Sequence, residues 1–242
     1  MVTCNVYRQT SIASPGLREI DPENRLLARG PSYRLQAEFI RNNALKSSGL
    51  LYEKLGGESA KPYQPKGLWI EKGSFSFDLK YYKQNHDNNQ YRNSLYTFIK
   101  RTSPPPYMTT FDMPGRDFCI VSRERTNTPL QALSLLNDPQ FVEASKALAV
   151  RMKKEGGDSL RGQIEIGFQL AISRKPNTSE LSILTDLYSQ VLEVFQKNKD
   201  SALAYLSVGD YQVPKKIDVS ELAAMTVIAN TLFNLDEMYT KR

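Results

Sequence analysis

Histidine, cysteine and tryptophan are almost missing from this 242-residue chain, which has one His, two Cys and one Trp. The lone histidine, His86, gives neither a His-rich metal site nor a plausible Ser-His-Asp triad, and its polar flanks place it in a solvent-facing loop. Cys4 and Cys119 are far apart and no Cys-x-x-Cys occurs, which argues against a zinc knuckle or a covalently attached haem within this chain. The two thiols read either as one disulfide of an exported protein or as unrelated buried cysteines, with the second preferred. No metal and no cofactor is expected. No apolar run is long enough to span a bilayer, and the stretch from Met1 to Arg8 lacks the charged-then-apolar order of a secretory signal. Charge of one sign is concentrated nowhere: 32 Lys and Arg are scattered among 26 Asp and Glu, for a net charge of +6. A DNA reader would gather that charge on one helix or arm, so nucleic acid is not an expected partner. Internal repeats and low-complexity tracts are lacking too.

What is present is ordinary globular composition, 40% hydrophobic and 24% charged, enough to bury a core. The expected fold class is mainly α, a multi-helix domain with an irregular, partly extended insertion rich in proline and aromatics. Residues 1–242 read as a single domain, helical over about 21–57 and 126–242, with the insertion at about 60–125. Asp21 and Pro22 cap and open a first helix that Gly30 ends. A second runs from Pro31 to about Leu51, with Leu35, Phe39, Ala44, Leu45 and Leu51 on its apolar face and Gly56-Gly57 beyond it. The insertion holds short extended pieces at Leu68 to Ile70, Leu95 to Lys100 and Phe118 to Ser122, and its Pro104-Pro105-Pro106 run reads as polyproline II or a sheet edge. Trp69, Tyr63, Tyr96 and Phe98 make it too apolar for a disordered linker. After Thr126 helix follows helix. Starts fall at Thr128-Pro129, Asp138-Pro139, Asp158, Asn177 with Glu180, and Asp218 with Glu221. The last helix is apolar at Leu222, Met225, Ile228, Ala229, Leu232 and Leu235.

Three groups of residues offer chemistry, and each has a structural use beside the functional one. Arg123, Arg125, Asn127 and Gln131 crowd a helix start, where backbone N–H groups and two guanidinium groups would grip a carboxylate, sulfate or phosphate. Alternatively Thr126 or Asn127 caps the helix while the arginines pair with Asp112 or Asp117. Arg8, Asp21, Asn24, Arg25 and Arg29 form a second group. In a helix Asp21, Arg25 and Arg29 share a face, which either lines a pocket or makes a salt-bridge ladder to the insertion. Trp69 with Tyr63, Tyr96 and Phe98 forms either a platform for sugar rings or an anchor for the insertion. Carboxylates are plentiful (Asp78, Asp112, Glu124, Asp138, Glu143, Asp236, Glu237), but no spacing singles out a glycosidase pair, and Asp138 reads as a helix cap.

Several stretches together resemble one family. They are Tyr7-Arg8-Gln9-Thr10-Ser11, Asp21 to Arg29, Pro62-Tyr63-Gln64-Pro65 with Gly67-Leu68-Trp69, and Tyr91-Arg92-Asn93-Ser94-Leu95-Tyr96-Thr97. Lys100 to Pro106, Arg123 to Phe141, and Glu221-Leu222-Ala223-Ala224 with Asn230 and Asn234 to Glu237 complete the set. In this order they resemble the planctomycete-specific domain of unknown function numbered fifteen fifty-three. The resemblance implies a periplasmic or secreted setting, at the C-terminal end of a large exported protein that carries another domain of unknown function and often a cytochrome-c-like module. It implies that this chain is a C-terminal fragment whose partner is an upstream domain of the same protein. It supplies no catalytic residues.

The expectation is therefore an accessory or binding domain of unknown activity, linked to polysaccharide use and taking a glycan or anionic ligand. Its candidate ligand-binding residues are Arg123, Arg125, Asn127, Gln131, Arg8, Asp21, Arg25 and Trp69. The alternatives are a glycan hydrolase built from carboxylates and arginines, and a purely structural domain packed on its upstream neighbour.

Overall fold

The computed structural model describes residues 3–71, 80–214 and 217–241. In chain order its elements are α1 (Asn5–Arg8), α2 (Pro15–Ile20), β1 (Tyr33–Arg34), α3 (Ala37–Ser48), α4 (Leu68–Glu71), α5 (Pro106–Thr110), α6 (Pro129–Asn137), α7 (Pro139–Glu155), α8 (Leu160–Ile172), α9 (Thr178–Lys197), α10 (Lys199–Leu206), α11 (Val219–Phe233), α12 (Asp236–Tyr239) and β2 (Thr240–Lys241). The fold is mainly α, as expected. Its sheet is one antiparallel pair, with Tyr33 opposite Lys241 and Arg34 opposite Thr240.

α11 is apolar nearly all round, so it can be stable only when enclosed. It packs against α6, α7, α8, α9 and α10. Leu222, Met225, Ile228, Leu232 and Phe233 meet Phe141, Leu148, Met152, Ile164 and Phe168 in one core. Short polar caps start these helices as the sequence predicts. Asp138 accepts from the Gln140 N–H at 2.9 Å, Asn177 from Glu180 at 2.8 Å, and Asp218 from Glu221 at 3.0 Å. The start of α8 differs by one residue, since its cap is Ser159, which accepts from the Gly162 N–H at 3.1 Å.

The expected helix from Asp21 does not form. The Asp21 carboxylate instead takes the N–H groups of Arg25 at 2.9 Å and Leu26 at 2.8 Å. Asn24 and Leu27 sit at φ 54, and the Asn24 amide bonds both the N–H and the carbonyl of Arg29. Asx side chains have offered the backbone successive turns in place of a helix. Asp21, Arg25 and Arg29 thus share no helical face. The next helix is also shorter than expected. β1 occupies its supposed first turn, and Gly49 in the left-handed region (φ 80) ends α3, well before Gly56-Gly57.

In the insertion, Leu68–Glu71 is helical rather than extended, and Ser94–Tyr96 is a 3-10 turn. Thr97 makes a single parallel bridge to Ala60, and residues 118–122 form no strand. The proline run feeds α5, with Pro106 at its first position. Cys4 and Cys119 are free, and both are exposed rather than buried. Among the described residues no helix is long and apolar enough to cross a membrane.

Leu232, fully enclosed between α7 and α8, should lose about 2–5 kcal/mol of stability on Leu232→Ala. Leu203→Ala, 53% exposed on α10, should change it by less than about 0.5 kcal/mol. Urea denaturation of both variants checks the contrast, and equal losses would refute this placement of the core.

Candidate functional site

α7 carries the site. Every residue from Gln140 to Ala149 is buried, which forces Glu143 and Lys146 inside with the alanines between them. A buried carboxylate is tolerable only when donors surround it. Glu143 Oε1 accepts from Tyr91 Oη at 2.9 Å, Tyr63 Oη at 3.1 Å and the Tyr211 N–H at 2.6 Å. Burial, with the Glu143 charge beside them, pushes both phenols above the ordinary tyrosine range, so they remain donors. Lys146 Nζ donates to the carbonyls of Leu206 at 3.0 Å and Val208 at 2.7 Å at the end of α10. Burial holds this ammonium below the usual lysine value, opposed by Glu143 and Asp210. Gly209 makes the arrangement possible, because its φ is +82 and a Cβ there would lie 2.6 Å from the Glu143 carboxyl.

A second buried ion ties the insertion to the first turn of α7. Arg41 of α3 donates to Gln140 Oε1 at 2.6 Å, the Gln90 carbonyl at 2.5 Å, the Arg92 carbonyl at 2.8 Å and Ser94 Oγ at 3.2 Å. Arg92 in turn lies 4.0 Å from the Tyr96 ring centroid and donates to the carbonyls of Lys54, Gly56 and Glu58.

These contacts enclose a cleft of about 500 Å³ at the head of α7. It is lined by polar Gln64, Gln84, His86, Asp138, Ser207 and Asp210, with prolines 65, 106 and 139 between them. Asp210 accepts from Gln90 Nε2 at 3.1 Å, and its Oδ2 lies 2.9 Å from His86 Nδ1. His86 is exposed, as its flanks predicted. Desolvation raises the Asp138 carboxyl above its ordinary value, against the Gln140 hydrogen bonds and the Arg41 charge. An adjoining hollow of about 660 Å³ shares Gln64, Pro65, Lys66, Gln84 and His86 and is bordered by Trp69 and Tyr82.

The candidates named from sequence fall elsewhere. Arg123 holds Glu38 in a two-pronged pair at 2.7 and 3.1 Å. Against desolvation, those bonds keep Glu38 below the usual carboxylate range. Gln131 is buried and donates to the carbonyls of Thr110 at 3.0 Å and Thr126 at 3.2 Å, while its Oε1 accepts from the Thr128 N–H in a capping box. Arg125 and Asn127 come together in a separate pocket with Tyr33 and Arg34. Arg8 and Arg25 are exposed, and Asp21 is buried in its turn. Trp69 is buried, with Tyr82 at 4.9 Å, Phe98 at 5.6 Å and Lys100 Nζ at 4.8 Å around its ring. Of the carboxylates, Asp138 lines the cleft, Glu143 is buried against its wall through Tyr63, Glu237 pairs with Arg174, and Asp78 lies outside the described residues. Sequence reasoning missed Asp210, Tyr91, Gln90 and Lys146. The available signal was α7 itself, whose Glu143 and Lys146 sit among alanines and serines with no strongly polar face to carry them outward.

Fold and site define a class: a mainly α domain whose irregular segment is held by buried ions to form one wall of a polar, ligand-sized cleft. Residues 1–188 match PSD1, described as a protein of unknown function (DUF1553), and the chain belongs to that family. The stretch from Glu221 to Glu237 lies beyond the matched residues. No curated protein and no solved structure matches the chain.

Glu143→Ala strands three donors and leaves Lys146 with Asp210 alone as a counter-charge, so it should cost about 3–5 kcal/mol. Glu143→Gln keeps an acceptor oxygen and should cost less. Chemical denaturation that put Glu143→Ala within about 1 kcal/mol of the parent would remove Glu143 as the organising group.

Asp138 gives a pH test. With its folded pKa raised above 3.8, the folded state holds the proton more tightly than the unfolded chain. Its contribution to stability therefore falls as pH rises from 3.8 through the raised value, then levels off. Asp138→Asn keeps a cap acceptor. The stability of the variant minus that of the parent should accordingly climb across this window. A difference that stays flat between about pH 4 and 8 would show that burial does not govern this carboxyl.

Proposed function

We propose that this domain is a binding module for a neutral carbohydrate, taken in the cleft at the head of α7, and that it serves as an accessory domain of an exported multidomain protein. The observation that carries this reading is the lining itself. Gln64, Gln84, Asp138 and Asp210, with planar amide and carboxylate groups, share the lining with Pro65, Pro106 and Pro139. Sugars present vicinal hydroxyls, which planar polar groups can bridge, and flat C–H faces, which pack on apolar rings. The wall is also preorganised, because Glu143 and Arg41 fix it before a ligand arrives, which lowers the ordering cost of binding. An upstream domain and a cytochrome-c-like module are its partners under this reading.

The raised Asp138 carboxyl favours a second reading. Asp138 as acid and Asp210 as base would make the same cleft a glycan hydrolase site.

Calorimetric titration of the chain with neutral oligosaccharides separates the two. The binding reading expects saturable heat without turnover, and about tenfold weaker affinity for Gln84→Ala. Reducing-end release that Asp210→Asn abolishes would replace it with the hydrolase. Absence of binding by a cooperatively folded chain would dismiss both.

A further inference from the structure

The pocket that gathers Arg125 and Asn127 is distinct from the cleft, and its electrostatics differ. β1, β2 and residues 125–127 enclose about 280 Å³, bordered by Tyr33, Arg34, Arg125, Asn127, Asp236 and Thr240 among others. The Arg34 side chain in its wall is only 9% exposed. Its Nη2 meets Asp112 Oδ2, yet its buried Nε and Nη1 donate to nothing. Burying guanidinium donors without acceptors is costly, and Asp112 balances the Arg34 charge while meeting only one of its nitrogens. That carboxylate also accepts from the Thr126 N–H at 2.8 Å and Thr126 Oγ1 at 2.9 Å.

Two further cations stand over the Tyr33 ring, Arg125 at 4.7 Å and Lys241 at 6.0 Å from its centroid. Arg125 is exposed and stacked rather than ion-paired, so its N–H edge remains available. Arg34 and Arg125 line the pocket with one carboxylate, Asp236, while Asp112 pairs with Arg34 and Lys241 stands close by over the Tyr7 and Tyr33 rings. Thr240 Oγ1 already occupies Asp236 Oδ1 at 2.8 Å. The Asn127 amide adds neutral hydrogen-bonding capacity at the same wall.

We infer that this pocket binds a small oxyanion, a carboxylate or a sulfate group, held between the Arg125 guanidinium and Asn127 beside the under-compensated Arg34. The volume suits one such group with a single small substituent. A bound anion would supply acceptors for the Arg125 edge and for the donors that Asp112 leaves unmet on Arg34. Arg125 acts at the rim and Arg34 behind it, so the affinity depends on Arg125 while the fold does not. The inference does not rest on the carbohydrate reading of the cleft.

The test is a titration of the whole chain at constant ionic strength, with chloride exchanged for sulfate, for glucuronate, or with neutral glucose added, following both melting temperature and heat of binding. Saturable binding of sulfate, glucuronate or both is expected, with none for glucose, and the preferred anion separates a sulfate-type ligand from a carboxylate-type one. Arg125→Gln should weaken that binding about tenfold while leaving the melting temperature in chloride unchanged. Arg125→Glu should abolish it. Identical titrations of the parent and Arg125→Gln would mean a bulk salt effect and would overturn the inference, as would a response that never saturates.

Discussion

One buried carboxylate oxygen decides how this molecule is assembled. Glu143 Oε1 receives hydrogen bonds from Tyr63, Tyr91 and Tyr211, which come from two places in the insertion and from the connection between α10 and α11. The three segments have no regular secondary structure in common, so no sheet ladder or helix packing could set their mutual position. An ionised group away from water sets it because the cost of leaving it unsatisfied exceeds that of ordering three loops around it. The same requirement explains Gly209, where any side chain would collide with the carboxyl, and the turn of Lys146 toward the last carbonyls of α10. The cleft is the space left beside these constraints.

Arginine does the complementary work. An irregular segment must still satisfy its backbone carbonyls, and the described residues of this one form no strand that would do so. Arg41 takes the carbonyls of Gln90 and Arg92, and Arg92 takes those of Lys54, Gly56 and Glu58. Each guanidinium offers several donors in a fixed plane, so one side chain replaces a short stretch of ladder. Arg41 also reaches Gln140 in the first turn of α7, which ties the insertion to the residue pair Asp138 and Pro139 at the cleft. An insertion with little regular structure thereby becomes a fixed wall.

The helical half was legible because its signals are local. Asn177 with Glu180 and Asp218 with Glu221 mark their helix starts within four residues, and the apolar surround of α11 requires burial whatever lies next to it. The turn at Asp21 was misread for the opposite reason. Asp followed by Pro serves a helix start and an Asx turn equally well, and the choice lay with Asn24, whose side chain closes onto Arg29. The site was less legible still. Glu143 and Lys146 resemble solvated charges on an amphipathic helix, and only the enclosure of α7 by α3, α11 and the insertion makes them internal. Asp210 follows Gly209 in what reads as an ordinary turn, and its partners Gln90 and His86 are more than a hundred residues away.

Arginine appears in this structure in three electrical states, and the difference among them separates scaffold from recognition surface. Arg41 and Arg92 bind carbonyls and Arg123 binds Glu38, so most of their donors have acceptors inside the fold. Arg174 is likewise shared between Glu180 and Glu237, and those hydrogen bonds raise it above the ordinary arginine range. Arg34 and Arg125 differ, one with buried donors that meet nothing and the other stacked on Tyr33 with its edge open. Arg92 Nε and Gln64 Nε2 also go unpaired, but among the described residues only Arg34 leaves two buried donors unmet, beside the pocket where the first and last strands meet. That pocket is therefore where an acceptor from outside the chain would find most to bind, whereas in the cleft the buried Glu143 and Lys146 charges are answered internally.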